Sequence, residues 1–191
     1  MSPRKRALNL SYFTVFYNIL EGLFSIIFGS LANSIALVSF GLDSFVESLS
    51  GGIMIWRFQK HKDTKREEKI EAIALKLVGY TFFILAAYIA YESFTKLYFR
   101  QIPEPTIIGI IIAILSLIIM PILYLKKHHI GHQLNSHSLM ADAKQTFACM
   151  FLSISLLLGL ALNQFFGFWQ ADPIVGFIAV FVLVREGYLV L

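Results

Sequence analysis

The sequence predicts an all-α integral membrane protein with six transmembrane helices and both termini in the cytoplasm. Hydrophobic residues make up 57% of the 191 residues and charged residues only 15%, whereas soluble domains carry roughly 25% charged residues. Six apolar segments are each long enough to cross a bilayer, which takes about 20 residues per helix. Charge-rich and charge-poor connections alternate between these segments. We therefore expect residues 1–191 to form a single six-helix transmembrane domain.

The first span follows the basic segment MSPRKRALNL, and no small-residue cleavage site comes after it. We therefore expect a retained helix and not a signal peptide. Small and polar residues recur along this span at helical spacing, the pattern expected where one helix packs against others. We expect this face to point inward; it comprises Asn18, Glu21, Gly22, Ser25 and Gly29.

The third and fourth spans each contain one feature that predicts local structure. In the third span, Glu92 precedes Lys96 by one helical turn and predicts a local ion pair. Pro121 predicts a kink in the fourth span. The six spans are predicted at about residues 8–29, 34–56, 72–98, 106–125, 139–163 and 172–191, with boundaries good to a few residues.

The cationic residues orient the chain. Most lie in the N-terminal segment, in the connection after the second span and in the connection after the fourth, so the positive-inside rule places all three in the cytoplasm. These cations include Arg4, Lys5, Arg6, Arg57, Lys60, Lys62, Lys65, Arg66, Lys69, Lys126 and Lys127. This pattern predicts a multi-pass protein of a bacterial inner membrane. It also explains the net charge of +4, so we expect no nucleic-acid partner.

The second span contains two carboxylates, Asp43 and Glu47, one helical turn apart and therefore on one face. A charged residue at the centre of a membrane costs about 2.5–3.5 kcal/mol on insertion scales, so the pair requires compensation. A bound cation, a proton or a partner cation would supply it. Because Lys144 and Arg185 lie near the cytoplasmic ends of their spans, we expect no salt bridge to these acids.

The fifth span carries Asp142, Gln145 and Cys149 on one face. Counted at 1.5 Å per residue, Glu47 and Gln145 lie roughly 9–12 Å deep, and Asp43 and Cys149 roughly 15–18 Å deep. Side by side, the second and fifth helices would bring two carboxylates, an amide oxygen and a thiolate to one point. Four such ligands suit a tetrahedral divalent metal such as zinc. Alternatively, Gln145 and Cys149 are packing or interhelical hydrogen-bonding residues.

Other polar residues have weaker interpretations. We expect Asn18, Glu21 and Asp142 to line an access path, to support the metal ligands or to form hydrogen bonds between helices. The run KKHHIGHQLNSH holds four imidazoles that would capture a metal weakly, although a solvated, titrating connection is the alternative. These are His128, His129, His132 and His137. The single cysteine excludes an internal disulfide framework.

Three stretches together resemble the cation diffusion facilitator family: NILEGLFSIIFGSLANSIALVSFGLDSFVESLSG, SLMADAKQTFACMFLS and WQADPIVGFIAVFVLVREG. The resemblance covers the whole topology and about half of the residues. It implies a six-helix, proton-coupled exporter of zinc or another divalent metal, and a homodimer. The family's second-span acid pair maps onto Asp43 and Glu47. Its fifth-span His and Asp ligands map onto Gln145 and Cys149, so this chain departs from the common pattern at both positions.

These departures leave the metal open. A thiolate favours zinc, and the oxygen ligands would also accept manganese, iron(II) or cobalt. The chain also stops after the sixth span, where most family members continue into a cytoplasmic domain, so we expect a short form or a truncated chain.

Two function classes compete with an exporter. The altered fifth-span motif would also suit a non-transporting partner subunit or a metal-responsive scaffold. An intramembrane enzyme is disfavoured because the sequence offers no nucleophile and base set and no motif such as GxGxxG or HExxH. We therefore expect no enzyme and no tightly bound cofactor, with a divalent metal as substrate and protons as the coupling ion.

Overall fold

The computed structural model describes residues 2–31, 35–59, 64–101, 107–166 and 170–191. These residues form six α-helices in chain order, as the sequence predicts. The helices are α1 Pro3–Leu31, α2 Ile35–Gln59, α3 Thr64–Phe99, α4 Ile107–Gln133, α5 His137–Phe166 and α6 Ala171–Val190.

The bundle reverses the polarity of a soluble protein. Large apolar side chains point outward, as at Phe16 and Phe181, which are 64% and 72% exposed. Charged and amide side chains such as Glu47, Lys127 and Gln145 are fully buried. Within the described ranges, three helical segments are long and apolar enough to cross a membrane: Pro3–Leu31, Glu68–Phe99 and Ile107–Gln133. The crossing of all six helices stays a prediction.

The fifth helix lies at the centre of the bundle. It packs against α2, α3, α4 and α6, while α1 packs mainly against α2 and also contacts α4. The helix pairs α1–α2, α3–α6 and α4–α5 have the most extensive contacts. This arrangement places the polar faces of α2 and α5 against each other inside the bundle.

Glycine residues let α1 and α2 approach closely. The predicted inner face of α1 is confirmed, because Asn18, Glu21, Gly22, Ser25 and Gly29 are all buried. A Cβ atom added to Gly41 of α2 would lie 2.8 Å from the carbonyl oxygen of Gly22. A Cβ added to Gly22 would lie 3.0 Å from the carbonyl oxygen of Gly41. The two backbones therefore meet where neither residue has a side chain, which sets the position of the α2 acids.

The fourth helix extends beyond the predicted fourth span, 106–125. The sequence placed the run KKHHIGHQLNSH, residues 126–137, in a connection, but α4 continues to Gln133 and runs unbroken through Pro121. The buried face of α4 repeats at three and four residues from Gly109 through Ser116 to Ile130. Helical packing therefore continues past the point where hydropathy falls. As a result Lys127 lies inside the bundle and is completely buried.

Polar contacts fix the start of α5. Ser136 caps the helix, since its hydroxyl accepts a hydrogen bond from the Leu139 amide at 3.1 Å. Glu71 of α3 accepts hydrogen bonds from the amide of Ser138 at 2.8 Å and from its hydroxyl at 2.9 Å. Glu71 also forms an ion pair with Arg57 at the end of α2. These contacts join three helices next to the buried polar residues.

Of the smaller local predictions, one is confirmed, and others fall on residues that are not fully described. The Glu92–Lys96 ion pair is confirmed, with 2.6 Å between Oε1 and Nζ. Of the connection after the second span, Lys60 and Lys62 lie outside the described residues, and for Lys65 and Arg66 only the helical backbone is described.

Replacing Gly41 by alanine should destabilise the bundle because the new methyl group would overlap the α1 backbone. Overpacking of this kind costs about 1–3 kcal/mol. Gly52→Ala is the matched control, since nothing lies within 4 Å of its added Cβ. The free energy of unfolding in mixed detergent micelles measures both changes. Equal stabilities of the two variants would contradict the close approach of α1 and α2.

Candidate metal-binding site

The α2 acids face α5 in the depth order that the sequence predicts. The thiol of Cys149 lies 3.7 Å from Oδ1 of Asp43 and donates a hydrogen bond to it. One turn away, the hydroxyl of Thr146 donates to Oε1 of Glu47 at 2.5 Å. Both carboxylates are buried, Asp43 at 4% exposure and Glu47 at 0%. The register of α2 on α5 therefore pairs each acid with a residue of α5.

A buried ammonium group lies beside Glu47. The Nζ atom of Lys127 is 2.9 Å from Oδ2 of Asp142 and 3.7 Å from Oε1 of Glu47. It also donates to the hydroxyl of Thr146 at 2.7 Å. The other oxygen of Asp142 accepts a hydrogen bond from Ser50 at 2.6 Å. Three helices thus contribute to one buried network of charges and hydroxyls.

This network corrects the expectation that no salt bridge compensates the α2 acids. Lys144 does lie at the surface, where its Nζ is 2.6 Å from Oε2 of Glu186. Lys127, however, belongs to the interior and pairs with Glu47 and Asp142. The compensation is partial, because Oε2 of Glu47 is buried and has no hydrogen-bond partner in the described part of the chain.

Gln145 has a different partner from the one predicted. Its Oε1 atom accepts a hydrogen bond from Thr81 of α3 at 2.8 Å. Its Nε2 atom is buried and makes no hydrogen bond among the described residues. Across those residues, no three His, Cys, Asp and Glu side chains are placed to hold one metal ion. The four predicted ligands line adjoining turns of α2 and α5 without converging on one point.

A second polar cluster joins α1 to α2. The carboxylate of Glu21 accepts hydrogen bonds from Tyr17 at 2.6 Å and from Ser44 at 2.9 Å. Ser44 precedes Glu47 by three residues and therefore shares a face of α2 with that acid, which brings Glu21 to the same side of α2. The Asn18 side chain is fully buried, and neither amide atom has a hydrogen-bond partner within the ranges described. The Ser44–Glu21 contact is a hydrogen bond between helices, one of the alternatives for Glu21; an access or support role for Asn18 and Glu21 stays a prediction.

The four histidines lie apart from this network. His128, His129 and His132 belong to the last turns of α4, and His137 opens α5. The rings of His128 and His132 are 4.5 Å apart between centroids, and the other two imidazoles are exposed. Weak metal capture by these four histidines stays a prediction.

Sequence reasoning missed Lys127, Thr146 and Thr81 as partners of these residues. A periodicity argument would have found Lys127, because it continues the buried face of α4 at three and four residues from Ser116, Met120 and Leu123. The hydroxyl partners carry no comparable signal, since serine and threonine recur throughout membrane helices.

Comparison with known proteins identifies the family to which this arrangement of helices and acids belongs. The model of the cation efflux transmembrane domain matches residues 11–191, nearly the whole chain. The chain belongs to the cation efflux family. The resemblance found in the sequence is thereby confirmed, and the bundle is this family's membrane domain.

Several relatives carry functional names. An uncharacterized transporter of Methanocaldococcus jannaschii is 28% identical over 90% of this chain and 62% of its own length. A cadmium, cobalt and zinc/H(+)-K(+) antiporter of Bacillus subtilis is 25% identical over 96% of this chain and 60% of its own. The magnetosome protein MamB of a Magnetospira strain is 26% identical over 92% of this chain and 61% of its own. The chain therefore spans about three fifths of these relatives.

Removal of the buried ammonium group should destabilise the protein. Lys127→Met leaves Asp142 and Glu47 without a cation, and breaking a buried ion pair in this way costs about 3–5 kcal/mol. Lys127→Met combined with Asp142→Asn should recover part of the loss, with a coupling energy of about 0.5–3 kcal/mol. Unfolding in mixed micelles measures each variant.

Lys126→Met is the control for this cycle because Lys126 is the exposed neighbour on the same helix. Its effect should stay within about 0.5 kcal/mol. Additive effects of the Lys127 and Asp142 substitutions would contradict the buried pair.

Proposed function

We propose that this chain is the membrane domain of a divalent metal exporter that exchanges metal for protons at the α2–α5 contact. The observation that carries the proposal is a pair of buried acids, Asp43 and Glu47, facing a thiol and an ammonium group inside an apolar bundle. Glu47 keeps one buried oxygen without a partner. An unpartnered carboxylate oxygen in a membrane domain requires a cation or a proton.

The charge of the network supports a divalent substrate. With the thiol neutral and the other groups ionised, the carboxylates of Asp43, Glu47 and Asp142 outnumber the ammonium group of Lys127 by two charges. Two protons, or one divalent cation bound while the thiol stays protonated, would neutralise that excess; binding of the metal by the Cys149 thiolate would release one further proton. A site that accepts either is suited to antiport, because a proton on a carboxylate and a metal ion at the same oxygen exclude each other.

Donor chemistry favours zinc as the first choice. Cys149 would supply a sulfur ligand, Asp43 and Glu47 would supply carboxylate oxygens, and Gln145 an amide oxygen, a set that zinc accepts. Manganese, iron(II) and cobalt remain alternatives for the oxygen ligands. Because Gln145 is bonded to Thr81, it would join the set only after that hydrogen bond breaks.

Transport requires the site to open alternately to the two sides of the membrane. We propose that metal enters from the cytoplasm, where it displaces protons, and that protons from the other side displace it there. The polar face of α1, with Asn18 and Glu21, is the proposed access path. The proposal keeps all six helices as spans, both termini in the cytoplasm, a bacterial inner membrane and a homodimer.

The decisive assay is metal flux into proteoliposomes across an imposed pH gradient, with zinc, manganese, cobalt and iron(II) tested in turn. We expect gradient-dependent uptake of at least one ion, with Asp43→Ala or Glu47→Ala reducing it to the level of empty vesicles. Glu68→Ala is the control, because this acid is exposed on α3 and should leave flux unchanged.

Two results would contradict the proposal. Wild-type flux in Asp43→Ala vesicles would remove the site assignment. Metal binding without flux for every ion, in protein shown to be folded, would instead favour a non-transporting partner subunit or scaffold.

A further inference from the structure

The ammonium group of Lys127 is the one positive charge that the described structure places at the α2 acids. It is held by α4, and its two shortest contacts are to α5: 2.7 Å to Thr146 Oγ1 and 2.9 Å to Asp142 Oδ2. The distance to Oε1 of Glu47 on α2 is longer, at 3.7 Å. Asp142 therefore anchors this ammonium group through the shorter ion pair, and Glu47 attracts it from the longer distance.

The same geometry sets up a competition at Glu47. A lysine ammonium group and a divalent metal ion are both attracted to this carboxylate, and in a dry interior charges a few ångströms apart interact strongly. Oε1 of Glu47 faces the ammonium group and Thr146, whereas Oε2 has no partner. A metal ion that binds Glu47 would repel Lys127 but would not need to detach it from Asp142.

We propose that Lys127 acts as a tethered competing cation that weakens metal binding at Glu47 and thereby permits release of the transported ion. Asp142 holds the ammonium group in place when metal occupies Glu47. The hydroxyl of Thr146 accepts a hydrogen bond from Lys127 and donates one to Glu47, and so bridges these two residues. Lys127 is thus a residue that determines affinity and turnover without binding the metal. This inference rests on the proposed function, because it assumes that Glu47 binds the transported ion.

The test is the affinity of the purified full chain for Zn²⁺, measured by competition with a chromophoric chelator. Loss of the competing charge in Lys127→Met should lower the Kd on the order of 10-fold, within the usual range of coupling between two binding events. In proteoliposomes the same variant should show a lower KM together with a lower maximal rate. A purely structural role would weaken binding and would not produce this split.

A second variant covers the case in which Lys127→Met does not fold. Lys127→Met with Asp142→Asn removes the cation and its anchor together and leaves Glu47 intact, so it should bind Zn²⁺ more tightly as well. Lys126→Met is the control and should keep the wild-type Kd. Wild-type or weaker Zn²⁺ affinity in the folded single or double variant overturns the inference.

The assay separates this inference from the proposed function. If the wild-type chain binds Zn²⁺ and Asp43→Ala abolishes the binding, the metal-site assignment is supported regardless of the Zn²⁺ affinity of the Lys127 variants. If the wild-type chain binds no Zn²⁺, or if Asp43→Ala binds it normally, the site assignment fails and the inference fails with it.

Discussion

Charge compensation inside an apolar bundle is the constraint on which the rest of this structure depends. Asp43, Glu47 and Asp142 are buried where neither water nor lipid can stabilise a carboxylate, and unpaired charge at membrane depth is expensive. Lys127 compensates part of that charge, and hydroxyl groups of Ser50 and Thr146 satisfy further oxygens. The remaining negative charge is the basis of the capacity for a cation or for protons that we propose for the site.

The helix packing fixes the positions of the residues in this network. Close approach of α1 and α2 at Gly22 and Gly41 fixes the α2 acids, while Ser136 caps α5 and Glu71 joins it to α3. With both helices fixed, Asp43 meets Cys149 and Glu47 meets Thr146 in register. Small residues and a capped helix start thus determine which polar groups meet, although none of them belongs to the proposed site.

Much of the fold follows from hydropathy and helical periodicity. Six apolar segments give six helices, and the spacing of Asn18, Glu21 and Ser25 gives the buried face of α1. The depth of Asp43 and Cys149 could be matched because each residue advances a helix by a fixed rise. The sequence failed where polar residues continue a helix, since the run beginning at Lys126 resembles a connection yet extends α4.

The site was predictable only in part, for a related reason. Acids one turn apart in a membrane helix stand out because they are costly. The direction of the Gln145 side chain depends on Thr81, a residue of α3 that is distant in sequence. Likewise, Lys127 pairs with Asp142 and Glu47 only because three helices pack together, and such a contact has no local pattern. Hydropathy locates spans, but it does not locate charges that tertiary packing buries.

The central claim is that a metal ion binds between the α2 acids and Cys149, and X-ray absorption spectroscopy of the Zn²⁺-loaded protein tests it most directly. Because Cys149 is the single cysteine, a thiolate ligand can come from no other residue of the same chain. We predict one sulfur neighbour at about 2.3 Å, absent in Cys149→Ser, with the remaining neighbours oxygen or nitrogen. A wild-type spectrum without sulfur, or one unchanged in Cys149→Ser, would contradict the account.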